Sequence, residues 1–215
     1  MTLITPTERT TVHRMPQRAS YDRALLERIL DEALYCHVGF VAGNQPYVLP
    51  TIHARAGDQL FLHGSSASRM LTAAAAGIPI CVTVTILDGL VLARSVYHHS
   101  MNYRSAIILG NAAEVTDPAE RLVALRTIVE HVIPGRWNDV RGPNQQELKA
   151  TRVVRLPIAE ASVKVRSGPP LDDEEDYGLP CWAGEVPLRL ERHVPVPDPR
   201  LVPSTPLPEY ATRRR

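Results

Sequence analysis

Residues 79–115, PICVTVTILDGLVLARSVYHHSMNYRSAIILGNAAEV, are the stretch from which we interpret the whole chain. The stretch contains apolar, β-branched runs at residues 80–86, 90–96 and 106–109, which are typical of buried strands. A turn is predicted at Leu87, Asp88 and Gly89, between the first two runs. The polar insert SVYHHSMNYRS separates the last two runs. Its imidazole, phenol and guanidinium groups make it a candidate for ligand contact.

The composition is that of an ordinary soluble domain. The 215 residues are 44% hydrophobic and 22% charged, and the net charge of +1 gives no reason to expect a nucleic-acid partner. The three cysteines are far apart and form no CxxC pair, which favours a reducing, cytoplasmic location. We find no signal-peptide core and no apolar run of roughly 20 residues, so we expect no membrane association.

The chain divides into three segments by composition. Residues 1–19 are predicted to be a loose N-terminal arm, and residues 20–166 the folded domain. Residues 167–215 carry ten of the 19 prolines, so regular structure over much of this tail is not expected. The tail is predicted to pack on the domain or on a dimer partner, with Trp182 as an anchor.

The hydrophobic periodicity predicts strands interrupted by a few helices. A helix over residues 21–34 has Ser20 as its expected N-cap, and a short helix follows Ser68. A third helix begins at residues 117–120 with both partners of a capping box, and residues 145–150 form a fourth. Period-two runs predict strands at residues 36–42, 47–55, 59–64, 151–157 and 161–166. Antiparallel strands at this spacing indicate a small β-barrel with helices outside.

The clearest candidate for ligand binding lies at residues 63–69, HGSSASR. Here a strand end leads through glycine and three hydroxyls into a helix, and unpaired N–H groups at such a point favour an anion. The guanidinium of Arg69 can bind a phosphate with two hydrogen bonds. The alternative is a serine-rich loop with an ordinary helix cap.

Three histidines are weaker candidates for proton transfer or substrate contact. His98 and His99 are adjacent, so in an extended chain they point to opposite faces and are not expected to share a metal ion. One imidazole can face a ligand while the other bonds to the backbone, or both can be ordinary histidines at a barrel rim. His53 lies on the strand whose Pro50 removes a ladder donor, and it shares that uncertainty. We predict no metal site.

The succession of motifs resembles the FMN-binding split-barrel families related to pyridoxamine 5′-phosphate oxidase. The segments that carry the resemblance are NQPYVLPTIHAR, LFLHGSSASRML, TVTILDGLVLARSVYHHSMNYRSAIILGNAAEV, PGRW, ELKAT, ASVKVRSGPP and WAG, in family order over about residues 20–185. The closest branch is that of the flavin-nucleotide-binding and nitroimidazole-resistance-like proteins. The resemblance implies a mainly β fold, a six-stranded antiparallel split β-barrel of Greek-key type. It also implies a homodimer with FMN between the subunits.

The resemblance also assigns residues to the cofactor. The strand at Val48, Leu49, Pro50, Thr51 and Ile52 is expected to lie along the flavin ring. The phosphate is expected at the second segment, formed by His63, Gly64, Ser65, Ser68 and Arg69. The third segment, near the ring, comprises Tyr103, Arg104 and Ser105, where Ser105 replaces a glutamine of pyridoxamine-phosphate oxidases.

The leading hypothesis is an FMN-dependent oxidoreductase for a small-molecule substrate, in which the flavin supplies the redox chemistry. A second hypothesis is a flavin-binding carrier or sensor without turnover. A third is a related barrel that binds haem or a deazaflavin, which the histidine pair keeps open.

Overall fold

The computed structural model describes residues 2–212. Its strands are β1 (Ala19–Ser20), β2 (Tyr35–Ala42), β3 (Gln45–Ala56), β4 (Gln59–Ser65), β5 (Pro79–Leu92), β6 (Ser100–Asn111), β7 (Ala113–Glu114), β8 (Thr151–Pro157), β9 (Glu160–Arg166) and β10 (Gly184–Pro187). The α-helices are α1 (Arg23–Glu32), α2 (Arg69–Ala75), α3 (Pro118–Val132), α4 (Gln145–Ala150) and α5 (Glu209–Thr212). In this part of the chain, no helix is long and apolar enough to span a bilayer.

The strands form one antiparallel sheet in the order β1-β9-β6-β5-β2-β3-β4-β8-β7, and β10 joins β5. The predicted mainly β fold of the split-barrel type is confirmed. Seven strands have seven or more residues, where six were expected, and the sheet curls without closing. The core lies between this sheet and α1, whose Leu26, Ile29 and Leu30 are fully buried against it.

Strand β5 corrects the prediction of a turn at Leu87, Asp88 and Gly89. The strand runs through this point, and its pairing with β6 shifts by one residue between Leu87 and Gly89, which makes Asp88 a bulge. Glycine is needed at 89 because a Cβ there would lie 3.0 Å from the carbonyl oxygen of Val186 in β10. Strand β5 ends at Leu92, so the strand predicted at residues 90–96 is shorter than expected. Half of the polar insert belongs to β6.

The helix boundaries follow the capping signals with two exceptions. Asp22, rather than Ser20, caps α1 by accepting a hydrogen bond from the Ala24 N–H at 3.1 Å, because Ser20 is held in a strand beside β9. Asp117 caps α3, but the capping box is incomplete since the Glu120 carboxylate binds Arg155. The predicted cap at Ser68 is confirmed.

The two terminal segments pack on the domain. The N-terminal arm is not loose: Ile4 is buried and its N–H donates to the Tyr21 carbonyl oxygen at 2.8 Å. The tail adds β10 to the edge of β5 that β2 leaves unpaired. Trp182 is 67% exposed, so it does not anchor the tail on its own chain as expected.

Candidate functional site

Strand β3 changes its environment halfway along its length. Residues 45–52 pair with β2 alone, whereas residues 53–56 pair with β4. The β2–β3 hairpin turns at Gly43 and Asn44, both with positive φ, as a two-residue loop requires. In such a hairpin Ala42 and Gln45 form a hydrogen-bonded pair, and every second pair beyond them is not bonded.

It follows that the backbone groups of Val48, Pro50 and Ile52 point away from β2. Pro46 and Pro50 occupy these outward positions, where the absent proline N–H costs no ladder hydrogen bond. No other strand of the described chain pairs with residues 45–52 on that side. The Val48 N–H and the carbonyl groups at 48 and 50 are therefore available to a ligand. We call residues 45–52 the open half of β3.

The open half of β3 also exposes apolar side chains. Val48 is 65% exposed, Leu49 40% and Ile52 38%. Leu49 lies opposite Val38 of β2, which is fully buried, so the Leu49 side chain is on the inner face of the sheet. It is exposed there because no second strand pairs with this half of β3. An edge with free backbone groups and exposed apolar side chains suits a flat, mostly apolar ring with a polar rim.

Arg69 joins the open half of β3 to the loop at residues 64–68. Its Nη1 donates to the Tyr47 hydroxyl at 2.7 Å, and its guanidinium lies 5.0 Å from the centre of the Tyr47 ring. Tyr47 is itself stacked on Phe40 at 5.4 Å. Among the described contacts of Arg69 there is no carboxylate, so its positive charge remains available to an anion.

The loop before α2 is held in place by its own polar groups. Ser65 Oγ accepts from the Ala67 N–H at 3.2 Å, and the Ser66 N–H donates to the Ala150 carbonyl oxygen at 2.8 Å. Gly64 lies so close to α2 that a Cβ would approach Leu71 to 3.1 Å. Nδ1 of His63 is buried without a partner, and burial lowers the pKa of this histidine. The residues predicted to bind the phosphate, at positions 63–69, thus lie together beside Tyr47.

His53 is removed from the candidate site by burial. It is fully buried, and its Nε2 lies 2.9 Å from the Leu30 carbonyl oxygen, at the end of α1. Its ring packs 5.1 Å from the ring of His131. Burial lowers the pKa of His53 to about 4, so it is a neutral core histidine and not a surface base.

The third predicted segment, at β6, is separated from the open half of β3. In the sheet, β5 and β2 lie between β6 and β3, so one subunit keeps them about 14 Å apart at three strand spacings. Arg104 binds Asp88 and Glu32, whose hydrogen bonds raise its pKa. Its charge is therefore already compensated. Tyr103 and Ser105 lie on the opposite face of β6, where Ser105 Oγ donates to the Lys164 carbonyl oxygen at 3.3 Å.

The predicted histidine pair lies on a loop that the tail fixes in place. Asp172, whose side chain is fully buried, accepts from the Arg94 backbone N–H at 2.8 Å and from its guanidinium at 2.9 Å. His98 Nε2 lies 3.2 Å from Asp173. His99 Nδ1 donates to the Ser95 carbonyl oxygen at 2.8 Å, and no hydrogen bond of its Nε2 occurs among the described residues. Val96 and Tyr97, which precede the two histidines, are 94% and 89% exposed.

Sequence reasoning missed the residues that support this site. Tyr47 was visible as an aromatic residue on a strand, but its contact with Arg69 depends on packing. Asp172 and Asp173 belong to an acidic run in the tail, and no local signal connects them to residues 94–98. In the described residues no group of three or more His, Cys, Asp or Glu side chains converges as a metal site would require.

Two cavities lie outside this region. One of about 840 Å³ is formed by the N-terminal arm, the start of α1 and the β8–β9 turn. Another of about 290 Å³ lies between Asp88, Asn102, Arg166 and Glu185. The open half of β3 borders neither of these two cavities.

Comparison with known proteins gives the following relatives. A family model described as pyridoxamine 5′-phosphate oxidase matches residues 22–165, about two thirds of the chain. No protein with curated function matches the sequence.

Two solved structures match at least 90% of this chain. The flavocytochrome Anf3 from Azotobacter vinelandii is 45% identical, with a TM-score of 0.93, and the match covers 99% of each chain. The FAD- and haem-binding protein from Mycobacterium smegmatis is 36% identical, with a TM-score of 0.86, covering 90% of this chain and 95% of that one. A candidate 5-nitroimidazole antibiotic resistance protein from Bacteroides thetaiotaomicron, 24% identical with a TM-score of 0.56, covers 68% of this chain and 86% of its own and shares the fold.

Proposed function

Since the chain belongs to the pyridoxamine 5′-phosphate oxidase family, we propose that it is a flavin-binding redox protein that also carries haem. The observation that carries the flavin part is the open half of β3, whose free backbone groups lie beside an uncompensated Arg69. The haem part is supported by the two full-length relatives, one a flavocytochrome and the other an FAD- and haem-binding protein.

The flavin is proposed to lie with its ring along Val48, Pro50 and Ile52. The outward backbone groups there match the donors and acceptors on the rim of the ring. Arg69 and the loop at residues 64–68 would bind the phosphate. The FMN predicted from the sequence and FAD share both halves of this site, and the Mycobacterium smegmatis relative favours FAD. The bound flavin supplies electron transfer, so the protein needs no nucleophile of its own.

The second wall of the flavin site is proposed to come from a second copy of the chain. Outward-facing residues of the sheet are exposed although apolar, including Tyr35 at 55%, Val41 at 56% and Ile107 at 39%. Apolar exposure on one face of a sheet is typical of a protein–protein interface. A homodimer would also bring the β6 segment of one subunit toward the open half of β3 of the other, which a single subunit cannot do.

We propose that His99 is a haem ligand. The residues fit this role because Nδ1 of the exposed His99 donates to the Ser95 carbonyl oxygen, so Nε2 would be the ring nitrogen that binds the iron. A hydrogen bond of this kind orients metal-bound histidines. The exposed Val96 and Tyr97 beside it offer apolar contact to a porphyrin. Haem bound there would supply one-electron chemistry, and the tail, through Asp172 and Arg94, would hold the loop still.

The proposed activity is that of an oxidoreductase for a small organic substrate or for an electron acceptor. A cytoplasmic location stays a prediction from the cysteine content. The protein's contribution would be to orient the flavin, to exclude water from it and to fix the distance to the haem.

The test begins with the colour of the purified protein. We expect flavin absorbance together with a Soret band, FAD in the heat-released fraction by mass spectrometry, and haem by the pyridine haemochrome assay. His99→Ala should lose the Soret band and keep the flavin, whereas His13→Ala, another exposed histidine, should keep both. A protein that takes up neither cofactor would overturn the proposal. Anaerobic reduction by NADH or NADPH and reoxidation then separate an enzyme from a carrier.

A further inference from the structure

The guanidinium of Arg166, at the end of β9, is buried beside the cavity of about 290 Å³, and only 7% of this residue is exposed. Its Nη1 donates to Asn102 Oδ1 and, at 2.7 Å, to the Gly168 carbonyl oxygen. Its Nη2 donates to the Pro169 carbonyl oxygen at 2.9 Å. None of these acceptors is a carboxylate, and burial lowers the pKa of Arg166. The charge is therefore buried without a counter-ion in direct contact.

One edge of this guanidinium has no acceptor among the described residues. A guanidinium has five N–H groups, and three of those of Arg166 are used. The two that remain, on Nε and Nη2, point the same way and fit the two oxygens of one carboxylate. Arg104 holds Asp88 with the same pair of atoms, at 2.9 and 2.7 Å. The corresponding edge of Arg166, which lines the cavity, is free for an oxyanion.

Glu185 of β10 supplies a negative charge to the same cavity. Its Oε2 accepts from Nδ2 of Asn102, whose Oδ1 accepts from Arg166. The Asn102 amide, in a residue that is 6% exposed, therefore lies between the two charges and holds both in place. Oε1 of Glu185 has no hydrogen bond among the described residues. The cavity thus offers a cation to an oxyanion and, one amide group away, an acceptor to a donor.

The rest of the cavity wall adds no free charge. Asp88 and Arg104 also line it, but they are paired with each other. Val165 and Pro187 supply apolar surface. Asp88 forms the bulge of β5, and bulges are common beside binding sites because they redirect side chains. The volume of about 290 Å³ is that of about ten water molecules, which suits a ligand far smaller than a flavin or haem.

We propose that this cavity binds a small α-amino acid, whose carboxylate is held by Arg166 and whose ammonium group is held by Glu185. The zwitterion matches the two opposite charges on either side of Asn102 and adds no net charge. A carboxylate without an amine would satisfy Arg166 but face the negative Glu185, and an amine without a carboxylate would leave the edge of Arg166 empty. Because β10 belongs to the tail, a bound amino acid also joins the tail to β9.

Isothermal titration calorimetry of the purified protein, with its cofactors bound, tests this with L-alanine as the probe. Propionate is alanine without the amine, and ethylamine is alanine without the carboxylate. We expect alanine to bind at least about tenfold more tightly than either, since each fragment loses one charge-assisted contact. Equal affinities for alanine and propionate, or no saturable heat from alanine, would overturn the inference.

Two variants separate ligand binding from the hold of Arg166 on the tail. Arg166→Lys keeps the positive charge but loses the paired donors, and should weaken alanine binding about ten- to hundred-fold. Glu185→Gln, at an exposed position that leaves Arg166 intact, should weaken alanine, strengthen propionate and so remove the preference between them. Glu191→Gln is the matched control, because Glu191 is exposed in the same tail and does not line the cavity. An unchanged preference in Glu185→Gln contradicts the proposed site.

The Nε–H of Arg166 gives a direct readout in ¹H–¹⁵N spectra of protein labelled with ¹⁵N-arginine. We expect its resonance, assigned by its absence from Arg166→Lys, to shift on addition of alanine and to exchange more slowly with water. A resonance that alanine leaves unmoved would show that the free edge takes no ligand. Alanine binding is independent of the cofactors: a colourless protein that binds alanine retains this site, and a protein with flavin and haem that ignores alanine loses this site alone.

Discussion

The two halves of β3 show how one strand can serve both stability and binding. At residues 53–56, which we call the closed half, the strand pairs with β4, and His53 and Ala54 are fully buried. At residues 45–52 it has β2 alone, and Val48, Leu49 and Ile52 are exposed. The closed half is stabilised by burial, whereas the open half leaves hydrogen-bonding groups and apolar area for a ligand. The difference arises where β4 diverges from β3.

The largest expected effect compares two leucines. Leu62 lies on β4, opposite His53 of the closed half, and is fully buried. Leu49 lies in the open half of β3 and is 40% exposed. We expect Leu62→Ala to lower the free energy of unfolding of the flavin-free protein by about 2–5 kcal/mol, and Leu49→Ala by less than about 1 kcal/mol. Urea unfolding measures both. Equal losses would contradict the division of β3 into two halves.

The closed half should also respond to pH through His53. Its folded-state pKa of about 4 lies below the ordinary value of 6.5, so the unfolded chain binds the proton more tightly. The contribution of neutral His53 to the free energy of unfolding is complete above pH 6.5. It falls as the pH drops toward 4 and levels off below pH 4. The total loss corresponds to about 3 kcal/mol.

The control for this prediction is His53→Gln, whose amide can still donate to the Leu30 carbonyl oxygen. Carboxylates titrate in the same range, so the quantity to compare is the difference between the two stability profiles. We expect that difference to shrink as the pH falls. Parallel profiles from pH 7 to 4 would show that His53 does not titrate as its burial demands.

In the open half, Arg69→Ala should weaken flavin binding while the fold is retained. Losing a charge-assisted phosphate contact costs about 1.5–3 kcal/mol, or about ten- to hundred-fold in dissociation constant. Fluorescence titration of the apoprotein with FAD or FMN measures this. The matched control is Arg9→Ala, since Arg9 is exposed and already paired with Glu160. An unchanged affinity for Arg69→Ala would remove it from the site.

The smallest effect is expected from removing one backbone donor on the open edge. Val48→Pro deletes an N–H that points away from β2, so we expect little loss of stability and a weakening of flavin binding by about two- to tenfold. Leu49→Pro, one position along, deletes an N–H that bonds to β2 and should destabilise the protein by about 1–3 kcal/mol. Thermal unfolding and flavin titration of both variants decide the register. Equal loss of stability in the two variants would show that the assigned register is wrong.

Much of the fold could be predicted from local sequence. The helix cap at Ser68 depends on neighbouring residues only, and its prediction is confirmed. Gly89 was misread as a turn residue because its role is to admit β10, a strand from nearly a hundred residues away. A glycine required by a close approach and a glycine required by positive φ look alike in sequence.

The candidate site divides in the same way. The sequence alone determined the alternation of β3, the prolines at its outward positions and the basic, serine-rich segment that ends at Arg69, because each follows from chain geometry and residue chemistry. Only the tertiary structure decided that His53 is buried, that Asp88 and Glu32 compensate Arg104, and that Asp172 fixes the loop of His99. Burial and charge pairing depend on partners distant in sequence, and chain packing alone selects those partners.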